Sequence, residues 1–503
     1  MKNRFFALLC AVIMLAGVLG GCGKDPAVPA AAPSDVQTDP SRNDAADADL
    51  PADASASSGA ASVEKAEPEP TRGGFRVGSQ VPDSFENYGQ TSEENYMERD
   101  FAISEKPFLK AVGKNLRDDH GNGELVQLKG TNVGGYLLQE FWMTVGAYTA
   151  NVTAEEDVYR VLTERFGKDE AMRLIKLYQE NFFTEEDFDY CRELGMNCLR
   201  LPFWYRNIVD ENGKPYEDWF VLFDRFVEEA GKRGIYVILD LHGAPGSQNG
   251  SDHSGRDGHD EKMAASEFFF GDEAVVKANQ ELYYKIWETV AAHFNGNPWV
   301  AGYDLLNEPY CTYRYNTGRP DSELHEILWT VYDEAYRRIR AIDADHVIIM
   351  EATWNAADLP APEKYGWENV MYQYHTYLYD DYDNSKGQQI VNLRNRINNT
   401  KGGGYNVPSL LGEFALFNAL TAWDEGVKMV NNSGMSWTTW TYKTIASVGN
   451  WGLKHTKDYG LNLETADLAQ IENAWTKVRE STNNTGLAKI LSKYYKQAYI
   501  EMQ

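Results

Sequence analysis

Eight short apolar runs between Leu128 and Lys443 most constrain what this chain can fold into, because nearly every one carries a polar or charged side chain toward its C-terminal end. They are Leu128 to Asn132, MNCLRLPF, IYVILDLHG, VAGYDLLNEP, HVIIMEAT, VMYQYHTY, PSLLGEF and MSWTTWTYK. Runs that are apolar almost throughout, rather than alternating, read as strands covered on both faces. The stretches between them are amphipathic. In DWFVLFDRFVEEAGKRG, for example, Trp219, Leu222, Phe223, Phe226 and Val227 share one helical face, and Gly231 or Gly234 can end the helix. Strand, helix and strand again imply a parallel sheet. Eight such units in about 390 residues fit an α/β fold, a (β/α)8 TIM barrel, with a doubly wound sheet as the alternative. FLKAVGKNLRD, the turn HGNG and ELVQLKGTN are expected to form an N-terminal hairpin leading into the first strand, and extra helices are expected between Ala154 and Leu194.

The run ends carry the chemistry: Arg200, His242, Asn307 with Glu308, Glu351, His375 with Tyr377, Glu413, and Trp440 with Lys443. In a barrel all of these reach one face, where active sites of this architecture are built. An ionised carboxylate is costly to bury without partners, so Glu308 in YDLLNEPY and Glu413 in LLGEF are assigned to a site. Glu351 has no partner motif and is read as a supporting residue; Asp240 and Asp304 lie within strands and are read as hydrogen-bonded core residues. Two facing carboxylates, without metal-ligand spacing or a phosphate-cradling loop, suit glycoside cleavage with no metal and no cofactor. Arg200 beside Glu413 would favour the charged carboxylate, while a less compensated Glu308 would keep its proton. Asn307, His242 and His375 would serve sugar hydroxyls or the carboxylates, Tyr377 would serve Glu413, and Trp440 would floor the sugar subsite.

The ordered set Arg200, His242, Asn307-Glu308, His375, Tyr377, Glu413, Trp440 resembles the catalytic constellation of glycoside hydrolase family 5, the cellulase-like enzymes. The resemblance runs from about Phe108 to the end and implies Glu308 as acid/base, Glu413 as nucleophile and retention of configuration, with carboxyl groups about 5 Å apart. Within the family, DLHGAPGSQNGSDHSGR, Asp240 to Arg256, is similar to the third-strand loop of exo-β-1,3-glucanases and related β-glucosidases. That implies sugar contacts for Asn249 and His253, with Gln248 beside them. The substrate implied is a β-glucan or β-glucoside; an endo-β-1,4-glucanase is the alternative, and a surface glycan-binding lipoprotein that does not hydrolyse is a more distant one. Tyr136 departs from the tryptophan usual there, and YCTYRYNTGRP and LYDDYDNSKGQQ do not follow the glucanase pattern.

The N-terminus speaks to location. Lys2 and Arg4 precede FFALLCAVIMLAGVLG, which reads as a signal-peptide core rather than a span, and LGGC resembles a bacterial lipobox with Cys22 as the lipidated residue. Residues 1–22 are therefore a lipoprotein signal, 23–95 an Ala/Pro/Ser/acidic tether and 96–503 the catalytic domain, held by a lipid anchor at the bacterial cell surface. The net charge of -27 argues against nucleic acid as a partner. With Cys10 in the signal and Cys22 acylated, Cys191, Cys198 and Cys311 imply no disulfide framework.

Overall fold

The structure, a computed structural model, describes residues 75–76, 100–146, 148–259, 265–309, 319–352, 355–379 and 386–503. The signal, Cys22, nearly all of the tether, Cys311 and most of the two divergent loops lie outside the described residues. Eight strands close a barrel: β1 Lys129–Asn132, β2 Cys198–Trp204, β3 Tyr236–Gly243, β4 Val300–Asp304, β5 Val347–Glu351, β6 Val370–Thr376, β7 Ser409–Phe414 and β8 Ser436–Thr439. Every neighbouring pair is parallel, and β8 returns to β1 with Trp437 opposite Lys129. All eight strands are buried along their whole length, as their apolar composition requires. The doubly wound alternative falls, because an open sheet has edges and this one has none.

Three helices, α1 Glu155–Phe166, α2 Lys168–Phe182 and α3 Glu185–Leu194, intervene between β1 and β2. Later connections carry α4 Phe220–Lys232, α5 Glu273–Phe294, α6 Asp321–Arg340, α7 Lys386–Gly402 and α8 Leu420–Asn432; α9 Leu468–Thr476 and α10 Thr485–Tyr495 follow the barrel. The period that marked α4 is the face it buries, through Phe223, Phe226, Val227 and Ala230. The helix stops two residues before Gly234, whose φ of +69° suits glycine; Gly231 stays inside the helix. Among the described residues no helix is long and apolar enough to cross a membrane.

The expected hairpin is a three-stranded antiparallel sheet of Lys110–Val112, Asn115–Arg117 and Leu125–Val126. Its tight turn falls at Gly113, with φ +57°, and HGNG instead spans the second connection. Below the barrel, the ammonium of Lys129 donates to the carbonyls of Tyr494, Gln497 and Ala498 at 3.3, 2.8 and 3.2 Å. Beyond β8, Lys443 turns away from the mouth: its ammonium meets the Phe182 carbonyl and Asp187, which Lys454 also holds at 2.9 Å. Cys191 and Cys198 are free and buried.

Candidate active site

Parallel strands deliver their C-terminal residues to one rim, and here the inward positions near that rim are polar. Arg200 on β2 lies at their centre, fully buried. Five side chains surround its guanidinium: Nε donates to Asp304 at 2.7 Å, Nη1 to Asn132 at 2.9 Å and Glu413 at 2.8 Å, and Nη2 to Asn307 at 2.9 Å, while Asp240 makes an ion pair with Nη2 at 3.0 Å. Asp240 and Asp304 are thus paired core residues, as their place within strands suggested. Burial still pushes them up, Asp240 to about 7 and Asp304 to about 6.

The Arg200 contact fixes the Asn307 amide with its oxygen inward, so Nδ2 faces His242 Nε2 at 3.3 Å. His242 Nδ1 lies 2.7 Å from Asp240, and burial pushes the imidazole down to about 3, leaving it neutral with Nδ1 as donor. Trp440, joined to Thr441 by a cis peptide bond, lies flat against His242 with ring centroids 5.3 Å apart. Gly134 makes room for that ring; a Cβ there would come within 2.7 Å of it.

Glu308 sits in the turn after β4 with φ +43°, a left-handed conformation that costs a glutamate about 1–3 kcal/mol. Neighbouring strands hold it there. Its N–H donates to Glu351 at 2.7 Å, its carbonyl accepts from Asn249 at 3.1 Å, and the preceding carbonyl accepts from Gln248 at 2.8 Å. Glu351, read from sequence as support, is thereby the residue on β5 that fixes the turn. Burial and the charge of Glu308 hold its carboxyl well above the usual range.

The Glu308 carboxyl is not the weakly compensated group expected. His375 Nδ1 lies 3.0 Å from one oxygen and His253 Nε2 3.2 Å from the other. Burial would raise it, but those two contacts outweigh burial and hold it well below the usual carboxylate range while His253 carries the proton the two share. Glu413 on β7 has one oxygen on Arg200 and the other on the Tyr377 hydroxyl at 2.8 Å. Burial and that carboxylate keep the Tyr377 phenol protonated.

One oxygen of Glu308, one of Glu413 and a ring nitrogen of His375 lie within 4.8 Å of one another. A cation would meet the Arg200 guanidinium already paired with Glu413, so the trio reads as a carboxylate pair with a histidine between. Asn249 and His253, expected at the sugar, are placed against Glu308. Tyr136 is buried against Phe182 and Phe226, within the helix layer, so the departure there does not reach the mouth. Glu140, which sequence reasoning passed over, follows β1; it accepts from the Trp142 indole at 2.6 Å, and burial pushes it up to about 8. Its signal was a lone acid inside the apolar YLLQEFW. Trp142, Trp451 and Tyr377 continue a wall of rings beside Glu413, with centroids 4.8 and 5.8 Å apart.

A family model described as cellulase (glycosyl hydrolase family 5) matches residues 162–445, more than half of the chain and every barrel strand except the first. A β-xylosidase of Phanerodontia chrysosporium is 32% identical over 276 residues, 54% of this chain and 52% of that protein. A glucan 1,3-β-glucosidase of Candida oleophila is 28% identical over 284 residues, 54% of this chain and 59% of that protein. The chain spans only about half the length of these curated relatives. Among solved structures, rutinosidase from Aspergillus niger shares the fold, with a TM-score of 0.52 and 20% identity over 70% of this chain and 98% of that one.

Proposed function

The chain belongs to glycosyl hydrolase family 5, and from that premise we propose that it is a retaining β-glycosidase acting on β-glucans or β-glucosides, most nearly an exo-β-1,3-glucanase or β-glucosidase. The observation that carries this reading is the carboxylate spacing of Glu308 and Glu413, within 4.8 Å. Retaining enzymes hold the pair about 5–5.5 Å apart and inverting ones about 6.5–9.5 Å, to admit a water. The glucan specificity rests on the third-strand loop LHGAPGSQNG and on what the curated relatives are called.

In this reading Trp440 floors the sugar and Asn307 Nδ2 reaches its 2-hydroxyl. Glu413, with both oxygens oriented by Arg200 and Tyr377, attacks the anomeric carbon while Glu308 gives its proton to the departing oxygen. The oxygen of a water then bonds the anomeric carbon, Glu308 takes a proton from that water, and the glycosyl–Glu413 bond breaks with its electron pair returning to Glu413. On sequence grounds we extend the proposal to lipid attachment at Cys22, with the tether holding the domain off a membrane; Cys22→Ala should then release the protein from membranes.

Proton NMR of laminari-oligosaccharide hydrolysis tests the reaction: the β anomer should appear first, and early α anomer would remove the mechanism. Glucose as the sole early product supports exo action, whereas mixed oligosaccharides, or preference for cello-oligosaccharides, favour the endo-β-1,4 alternative. Glu413→Ala should lose at least about a thousandfold in turnover.

A further inference from the structure

His253 stands on the short turn Asp252–Ser254 after β3, where its Nε2 meets two groups at once: Glu308 at 3.2 Å and Asn249 Nδ2 at 2.9 Å. The Asn249 amide cannot turn round, since its oxygen accepts from the Ser251 N–H at 3.0 Å and its nitrogen donates to the Glu308 carbonyl at 3.1 Å. A fixed donor therefore points at Nε2, which suits an imidazole presenting a lone pair there and not one carrying a second hydrogen. Facing the same lone pair, the Glu308 oxygen is satisfied when it bears the proton.

The charged surroundings come from every side of the mouth. Asp252 lies 3.9 Å from Nδ1 on the same turn, Glu140 comes from the loop after β1, and the His242 ring on β3 is 6.2 Å away. Across Glu308 stand His375, Glu351 and Glu413, the last paired with Arg200. Burial disfavours a proton on His253, but the contact with Glu308 and the charges of Glu308, Asp252 and Glu140 outweigh it, so the two facing side chains retain a proton between them.

We propose that His253 is a positioning residue for acid/base catalysis: with Asn249 it keeps one proton shared with Glu308 and directs that proton onto the carboxyl oxygen that meets Nε2. The proposal rests on the reading of Glu308 as the acid/base. During cleavage the Glu308 proton passes to the glycosidic oxygen, which keeps the electron pair of the broken bond. During hydrolysis Glu308 takes a proton from the attacking water, and the electron pair of the glycosyl–Glu413 bond returns to Glu413. His253 ends the cycle as it began.

Two titratable groups sharing a proton lose it at a value belonging to the pair, so the loaded acid persists to higher pH than Glu308 alone would allow. His253→Gln keeps bulk and polarity but holds no proton. It should move the basic limb of the kcat/KM profile down by about one pH unit or more, and lower kcat on poor leaving groups about tenfold beyond its effect on 2,4-dinitrophenyl glucoside, with KM little changed. His253→Ala should do the same if folding is sound by circular dichroism. A basic limb left in place, or an equal rise in KM on both substrates, overturns the proposal. Glu308→Ala, measured in parallel, separates the two ideas. If it loses the leaving-group-dependent rate and recovers with azide while His253→Gln changes nothing, only the His253 proposal falls; if Glu308→Ala matches wild type on poor leaving groups, both fall.

Discussion

The barrel buries a cation at each end, and their partners could hardly differ more. At the mouth, Arg200 forms ion pairs with three carboxylates and donates to two amides, all on side chains. Beneath, Lys129 donates to three main-chain carbonyls where α10 ends. A helix C-terminus offers unpaired carbonyls and the negative end of the macrodipole, so Lys129 is satisfied by acceptors that never titrate. Two partners of Arg200, Asp240 and Asp304, can gain and lose protons, since burial brings them to about 7 and 6. One end is fastened and the other is adjustable; function belongs where the acceptors are adjustable.

The contrast breaks first at Arg200. Arg200→Lys supplies three donors where the guanidinium serves five partners, and should cost about 3 kcal/mol or more of stability and at least about a hundredfold in kcat/KM. Urea unfolding with steady-state kinetics reads both, and a near-normal kcat/KM would erase the distinction between the ends. Lys129→Met should lose about 1–3 kcal/mol of stability, with kcat/KM of the folded protein unchanged within about twofold. A large loss of activity there would show that the base of the barrel governs the mouth. Glu351→Ala removes the acceptor that holds the left-handed Glu308 N–H, so kcat should fall about tenfold to a hundredfold while KM stays close to wild type. An equal change in KM would instead assign Glu351 to sugar binding.

The smallest effect separates burial from chemistry. Glu155 accepts from the Gln139 N–H at 3.0 Å, and burial pushes its carboxyl up to about 8. Because the folded value exceeds the unfolded one, its contribution is complete below the ordinary carboxylate range and is lost as pH rises toward 8. Glu155→Gln should flatten the decline in Tm between pH 5 and 8, gaining about 1–3 °C at the upper end, with the shape of the pH–rate profile retained. An unchanged slope would locate that titration elsewhere.

The barrel was legible because strand packing imposes a pattern on consecutive residues: all eight runs are its strands, and α4 buries the face its period marked. Glu308 and Glu413 were legible for a related reason, since a charge near the end of an apolar strand needs partners, and Arg200 and Asn307 stood where such partners would. Less could be read where partnership crosses the chain. That Glu351 holds the Glu308 N–H, and that His253 and Asn249 turn to Glu308, depends on which loops meet above the barrel, and no local spacing encodes it. The weakly compensated Glu308 was misread for that reason, its two histidines arriving from β6 and from the loop after β3. Glu140 was missed because one acid among apolar loop residues has no period. Tyr136 was visible as a departure, yet only packing shows that it belongs to the helix layer.

Gln248 and Asn249 bind the carbonyls of Asn307 and Glu308, tying the loop after β3 to the turn after β4. For protein engineering these two segments are one transplantable module. Exchanging the third loop alone, to retarget the enzyme to another glycan, would leave the acid's backbone unsupported; grafted together with the fourth turn, it should carry its new preference without losing rate.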